Sequence, residues 1–297
     1  MRQATGIFLV LLSAAAFGTL AVLGRYAYAA GLDALSILFL RFTLAALVMG
    51  AWVCLKQRVA LPRGGALARL VGMGALGYVG QAFSYLTALN YASAGLVALL
   101  LYLYPAFVAL LSALVLKERL GRAKLAALGL AMVGTALTVG PAGGQWPGVL
   151  LAIAAAAIYS IYILVGEQAL KQVSVGQSST VIFASAGAMS GLLMLLNGPH
   201  LPTPPAGWAV IAAIVLVATV LPVATFLAGL ERIGPTNAAM LSTLEPVVTV
   251  LLAAWLFGEA PAPIALAGGG LILAAVILLT NSEMRRTPAP DRAVHGQ

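Results

Sequence analysis

The chain has 297 residues, 62 % of them hydrophobic and only 8 % charged, with a formal net charge of +8. A soluble domain carries about 25 % charged residues, so this composition excludes a water-soluble fold and reads as an all-α integral membrane protein. The basic excess sits in short loops between apolar runs, so a membrane accounts for it without a nucleic-acid partner.

Taken in order, apolar runs long enough to span about 30 Å of hydrocarbon fall at 6–29, 35–55, 66–89, 94–116, 122–140, 147–168, 177–196, 207–229, 236–257 and 262–281. Ten spans place both termini on one side. Arg2, Lys56, Arg69, Lys117, Lys124 and Arg232 fall on that side with the other loop cations, and no Lys or Arg falls in the opposite loops. By the positive-inside rule both termini are cytoplasmic, as in a multi-pass protein of a bacterial inner membrane. Trp52, Trp146, Trp208 and Trp255 lie near predicted helix ends, as interfacial anchors do. The first run is too long for a signal peptide and is read as an uncleaved helix. The tail 282–297 is polar and reads as disordered and cytoplasmic.

An internal repeat organises the chain. Residues 85–120 align without gaps on 226–261, which places Pro105 on Pro246 and Glu118 on Glu259. Proline removes a backbone donor and clashes with the preceding turn, so both helices are predicted to be interrupted there. Pro222 marks a third bent segment. The expected organisation is two five-helix repeats, 1–145 and 146–281, forming one functional unit. An odd number of spans per repeat inverts the second copy, and paired broken helices point to a transporter site near the midplane. Pro105, Pro246 and Pro222 are the candidate hinges.

Polar groups inside a membrane default to function. Tyr78, Gln81 and Tyr85 share one helix face at spacing i, i+3, i+7, as do Ser242, Glu245 and Thr249. Glu245 lies roughly 14 Å from the inner end of its helix at 1.5 Å per residue, close to the midplane. Tyr159 and Tyr162 share a face of the sixth run. Tyr102 and Tyr104 point about 200° apart on an ideal helix, and Tyr102 is the preferred lining residue. The candidate substrate site is therefore Tyr78, Gln81, Tyr85, Tyr102, Tyr159, Tyr162, Ser242 and Glu245. Glu245 has two readings: a ligand for a substrate ammonium or proton, or a structural partner of Arg41. Arg25 reads as a snorkelling side chain, and Glu118 and Glu259 as fixing helix ends.

Several chemistries find no support. His200 and His295 are the only histidines and both lie outside the apolar runs; no nucleophile–base pair is visible. The lone Cys54 cannot form an internal disulfide. Gly72, Gly74 and Gly77 spell a dinucleotide fingerprint but open a membrane helix, and with Gly187 and Gly191 they read as packing positions. No Walker sequence occurs, and neither an enzyme activity nor a cofactor or metal is expected.

The stretches LYPAFVALLSALVLKERL and LEPVVTVLLAAWLFGEAP, with the five-plus-five repeat, resemble the drug/metabolite transporter superfamily. Within it, the EamA-type ten-helix branch is the nearest likeness, and YddG-type aromatic amino-acid exporters the nearest within that. The resemblance implies a central cavity enclosed mainly by helices 3, 4, 8 and 9. It also implies alternating access without nucleotide hydrolysis, in a monomer or weak homodimer. Tyrosine faces and Gln81 suit aromatic and other hydrophobic or neutral amino acids, with protons as a candidate coupled ion. A broad exporter of cationic drugs using Glu245 is the alternative within this class. A channel or intramembrane enzyme is the alternative outside it.

Overall fold

A computed structural model describes residues 2–57, 62–88, 90–92, 94–139, 145–198, 201–202, 205–258 and 261–284. Glu259, both histidines and the tail beyond Met284 lie outside the described residues. Regular structure among them is helical, apart from an isolated bridge at Ala92.

The helices are α1 (Arg2–Ala29), α2 (Ala34–Trp52), α3 (Gly64–Gly72), α4 (Val79–Ala88), α5 (Ala94–Leu101), α6 (Tyr104–Val115) and α7 (Arg122–Val139) in the first half. The second half holds α8 (Trp146–Ala169), α9 (Val175–Asn197), α10 (Pro205–Val215), α11 (Leu221–Ile233), α12 (Pro235–Leu241), α13 (Glu245–Phe257) and α14 (Pro263–Met284). The described residues of the ten predicted ranges are mostly helical, with the fourth range broken at Tyr102–Leu103. Seven of the helical segments among the described residues are long and apolar enough to cross a membrane, counting α10–α11 and α12–α13 as continuous units. The last helix runs on to Met284, slightly beyond the predicted start of the tail.

Local chemistry sets the helix starts. Asp33 caps α2 by accepting from the Ser36 N–H at 2.9 Å. Ser174 and Gln177 form a reciprocal capping box at the start of α9. Gly234, at φ +78°, turns the chain sharply between α11 and α12, a conformation that favours glycine.

The interruptions are more regular than the prolines alone foretold. A π-helical segment, Met73–Tyr78, joins α3 to α4, and another, Leu216–Val220, joins α10 to α11. The repeat shift that superposes the prolines carries the first onto 214–219, so it overlaps the second. A turn at Tyr102–Leu103 separates α5 from α6, and a 3₁₀ turn, Ser242–Leu244, separates α12 from α13. These also coincide under the shift. Pro105, Pro222 and Pro246 each occupy the first turn of a new helix, where the missing N–H has no partner to lose.

Packing obeys the same correspondence. The most extensive pairings are α7 with α14, α2 with α9, α1 with α11 and α4 with α8. The first two join repeat-equivalent helices, and the last two exchange when the halves are swapped. At the α7–α14 crossing a Cβ on Gly134 would sit 2.7 Å from the Gly268 carbonyl oxygen, and one on Gly268 2.5 Å from that of Gly134. Only glycine allows this approach. Gly187 serves α9 likewise against the Thr43 backbone of α2, and Gly74 approaches the Ile182 carbonyl, whereas Gly72 faces open space.

Candidate functional site

The bundle holds a cavity of about 570 Å³ to which α1, α2 and α8 contribute beside the interrupted helices, whereas α10–α11, the eighth predicted run and an expected wall, supplies no lining residue. It is lined by Tyr78, Gln81, Tyr85, Tyr102, Tyr159 and Glu245, six of the eight candidate residues. Side chains from α1, α2, the π turn, α4, α5, α6, α8 and α13 contribute. Tyr28, Ala34 and Thr138, at helix ends opposite the basic loops, mark the side toward which the cavity extends.

Two candidates are corrected. Tyr162 is buried, 5 % exposed, and lies behind the wall: its ring packs edge-on to Tyr78 at 5.6 Å and stacks on Tyr159 at 5.9 Å. Ser242 is also buried, and its hydroxyl donates to the Ala238 carbonyl at 2.9 Å. Neither is among the residues that line the cavity. Tyr104, set aside in favour of Tyr102, lines the cavity as well. The 200° separation holds for one continuous helix, and here the chain turns at Tyr102–Leu103 before α6 begins.

The tyrosines form one connected cluster. Tyr104 meets Tyr159 edge-on at 4.8 Å and Tyr102 at 6.3 Å, and Tyr78 meets Phe42 edge-on at 4.9 Å. Such ring pairs add roughly 0.5–1.5 kcal/mol each beyond area burial, so the wall is pre-formed. The Glu245 carboxylate lies within electrostatic reach of Tyr78, Tyr85, Tyr102, Tyr104 and Tyr159. Gln81 lines the same space.

The expected structural pair of Glu245 with Arg41 does not form: among the described residues no ion pair joins them within 4.0 Å. Arg41 instead lines the cavity itself. Its intramembrane position was the available signal, and pairing it with Glu245 concealed it. Arg25 does not simply snorkel, since its guanidinium lies 3.9 Å from the Phe257 ring centroid.

Polar contacts join the two halves on the side of the cavity nearer the basic loops. Tyr104 Oη donates to the Ala239 carbonyl at 3.4 Å, and Ser13 Oγ to the Pro222 carbonyl at 2.7 Å. Thr236 Oγ1 donates to Glu118 at 2.6 Å, and Lys124 Nζ pairs with the same carboxylate at 2.7 Å. Glu118 thus ties α12 to the start of α7, which accords with its reading as a residue that fixes helix ends. No group of three or more His, Cys, Asp or Glu that could hold a metal occurs among the described residues.

The chain is similar to known proteins. A protein of Archaeoglobus fulgidus named an uncharacterized transporter is 29 % identical over 272 residues, covering 91 % of this chain and 94 % of its own. The uncharacterized transporter YcbK of Bacillus subtilis is 25 % identical over 300 residues, covering 96 % and 95 %. A solved crystal structure superposes with a TM-score of 0.79 at 24 % identity, over 96 % of this chain and 99 % of that one, and so shares the fold. The pattern of the EamA-like transporter family matches twice, over residues 4–140 and 146–281. On these matches the chain belongs to the EamA-like transporter family.

Proposed function

We propose that this transporter is a secondary exporter of neutral amino acids, aromatic and hydrophobic ones foremost, working by alternating access across a bacterial inner membrane. The observation that carries this reading is the cavity: tyrosine rings, one amide and few fixed charges, extending toward one end of the bundle, with polar contacts joining the halves nearer the other. Aromatic walls bind apolar side chains and offer hydroxyl groups at their tips. A sugar phosphate would demand several cations. The swap-invariant packing and coincident interruptions support two inverted five-helix repeats spanning ten times, with cytoplasmic termini given by the loop cations. Pro105, Pro222 and Pro246 then mark where the halves rock. In this scheme the cavity is caught facing outward.

The test uses purified protein in liposomes with labelled phenylalanine, methionine, threonine and ethidium. Saturable phenylalanine uptake, lost in Gln81→Ala and Tyr78→Ala, is expected; transport of none of the amino acids, or transport indifferent to both substitutions, sinks the assignment. The unpaired Glu245 carboxylate favours a second reading, a broad exporter of lipophilic cations, for which ethidium would move and the amino acids would not. Repeating the assay with and without a pH gradient asks whether Glu245 carries a proton. If Glu245→Gln leaves gradient-driven transport intact, that role is wrong.

A further inference from the structure

The cavity holds one cation and one anion that do not neutralise each other. Arg41, on α2, is 5 % exposed, and its Nε and Nη2 have no hydrogen-bond acceptor. Its guanidinium lies 4.7 Å from the Phe42 ring centroid, with Tyr78 beside it. Glu245, on α13, is also within electrostatic reach of Tyr78, but among the described residues it forms no ion pair with Arg41.

A purely structural arginine at this depth would be expected to satisfy its donors with backbone carbonyls or a carboxylate, because a desolvated guanidinium is costly unpaired. Two of its donor nitrogens find nothing among the described residues. A ring face eases the positive charge but accepts no in-plane N–H. The guanidinium fork matches a carboxylate in two parallel hydrogen bonds, with a geometry that an ammonium group cannot copy. Those two nitrogens are buried as the side chain stands, while Arg41 itself lines the cavity, so a turn of the side chain would bring its fork to a carboxylate bound there.

We propose that Arg41 is the carboxylate anchor of the transport site and the residue that selects acids over amines. Glu245, which lines the same cavity, takes the ammonium of the same zwitterion, and the aromatic wall takes its side chain. This rests on the amino-acid reading above and adds a specificity determinant to it. A solute bearing both charges completes both sites. One lacking the carboxylate leaves Arg41 as unsatisfied as in the empty cavity.

The test compares solutes of one skeleton in proteoliposomes: phenylalanine, phenethylamine without the carboxylate, and 3-phenylpropionate without the ammonium, each competing against labelled phenylalanine. Wild-type protein is expected to prefer phenylalanine over phenethylamine by about tenfold or more, the scale of a lost charge-assisted bidentate contact. Arg41→Gln should bring the two within about twofold by weakening phenylalanine alone, and Arg41→Lys, which keeps the charge but not the fork, should fall between. A wild-type protein that moves phenylalanine but takes phenethylamine equally well overturns the assignment while leaving the amino-acid reading standing. So does an Arg41→Gln variant that loses both solutes in parallel, the signature of a structural role. The wild-type series decides the matter even if the Gln variant does not fold. Failure of phenylalanine transport in wild type removes the parent reading and this one together.

Discussion

The Glu118 carboxylate, just after α6 of the first repeat, accepts a 2.6 Å hydrogen bond from the hydroxyl of Thr236 in α12 of the second. The bond crosses between the halves on the side nearer the basic loops. Its second arm, Lys124 at 2.7 Å, keeps the carboxylate oriented, and the lysine is nearly buried while the glutamate is about a quarter exposed. Under the proposed alternating access, rocking of the halves would break the Thr236 arm. Thr236→Val is expected to weaken closure by about 1 kcal/mol, roughly fivefold in the equilibrium, because the contact is partly wet. The check is alkylation of an Ala239→Cys reporter in a Cys54→Ser background by an impermeant maleimide applied from the basic-loop side. Faster labelling in the Val variant is expected, and an unchanged rate means the contact does not hold this end shut.

Tyr102 and Tyr104 should separate in their effects. Tyr104 is 2 % exposed, packs on Tyr159 and reaches the Ala239 carbonyl, so it serves wall and closure together. Removing its ring as Tyr104→Ala is expected to cost about 3–5 kcal/mol of stability, by analogy with large-to-small aromatic changes in cores. Tyr102 is only half-buried at the cavity. Tyr102→Phe should leave the melting temperature in place and alter substrate affinity. Thermal unfolding in detergent beside transport kinetics distinguishes them, and equal destabilisation by both changes contradicts the division.

Much of this architecture was legible before any coordinates, and for physical reasons. Apolar run length reports spans directly, because no other element satisfies its backbone in hydrocarbon. The doubled proline reports the breaks, because proline is costly inside a helix but tolerated in the first turn of a new one. The site was legible where side-chain spacing lay on one unbroken segment, as for Tyr78, Gln81 and Tyr85. It failed where backbone irregularity intervened: Tyr104 faces the cavity only because the chain turns at Tyr102–Leu103. The π turns left no compositional mark beyond nearby glycines and Thr219, whose hydroxyl bonds back to the Ile214 carbonyl at 2.8 Å. Tyr162 and Ser242 share faces with true lining residues but lie one layer deeper, which is a matter of tertiary depth rather than spacing.

The α7–α14 contact gives a stability prediction independent of substrate. Gly268 lies so close to α7 that a Cβ would meet the Gly134 carbonyl, the Thr138 amide nitrogen and the Thr138 hydroxyl, each within about 2.6 Å. Two of these are backbone atoms and cannot swing aside. Gly268→Val should therefore force the helices apart at a cost of about 1–3 kcal/mol, as overpacked cores do. Because Gly268 does not line the cavity, the folded fraction should keep a normal apparent affinity for substrate. Unfolding curves beside transport KM check this. A variant as stable as wild type would mean that the two helices have room to separate.

Pro246 offers the sharpest test of the paired interruptions. It sits in the first turn of α13, immediately after the 3₁₀ turn Ser242–Leu244, and the Glu245 N–H takes the Ser242 carbonyl. Proline cannot donate, so an α-helical bond from position 246 to that same carbonyl is forbidden. Pro246→Ala restores the donor and lets α12 run into α13 as one helix. Three residues passing from about 120° to about 100° per residue would rotate α13 against α12 by roughly 60°. That swing is enough to turn Glu245 away from Tyr78 and Tyr104. The expected outcome is a protein whose melting temperature is unchanged or raised while transport falls severalfold, the trade typical of relieved strain at a working site. Lost transport together with lost stability would place Pro246 in the fold alone, and unaltered transport would remove the 3₁₀ turn from the mechanism.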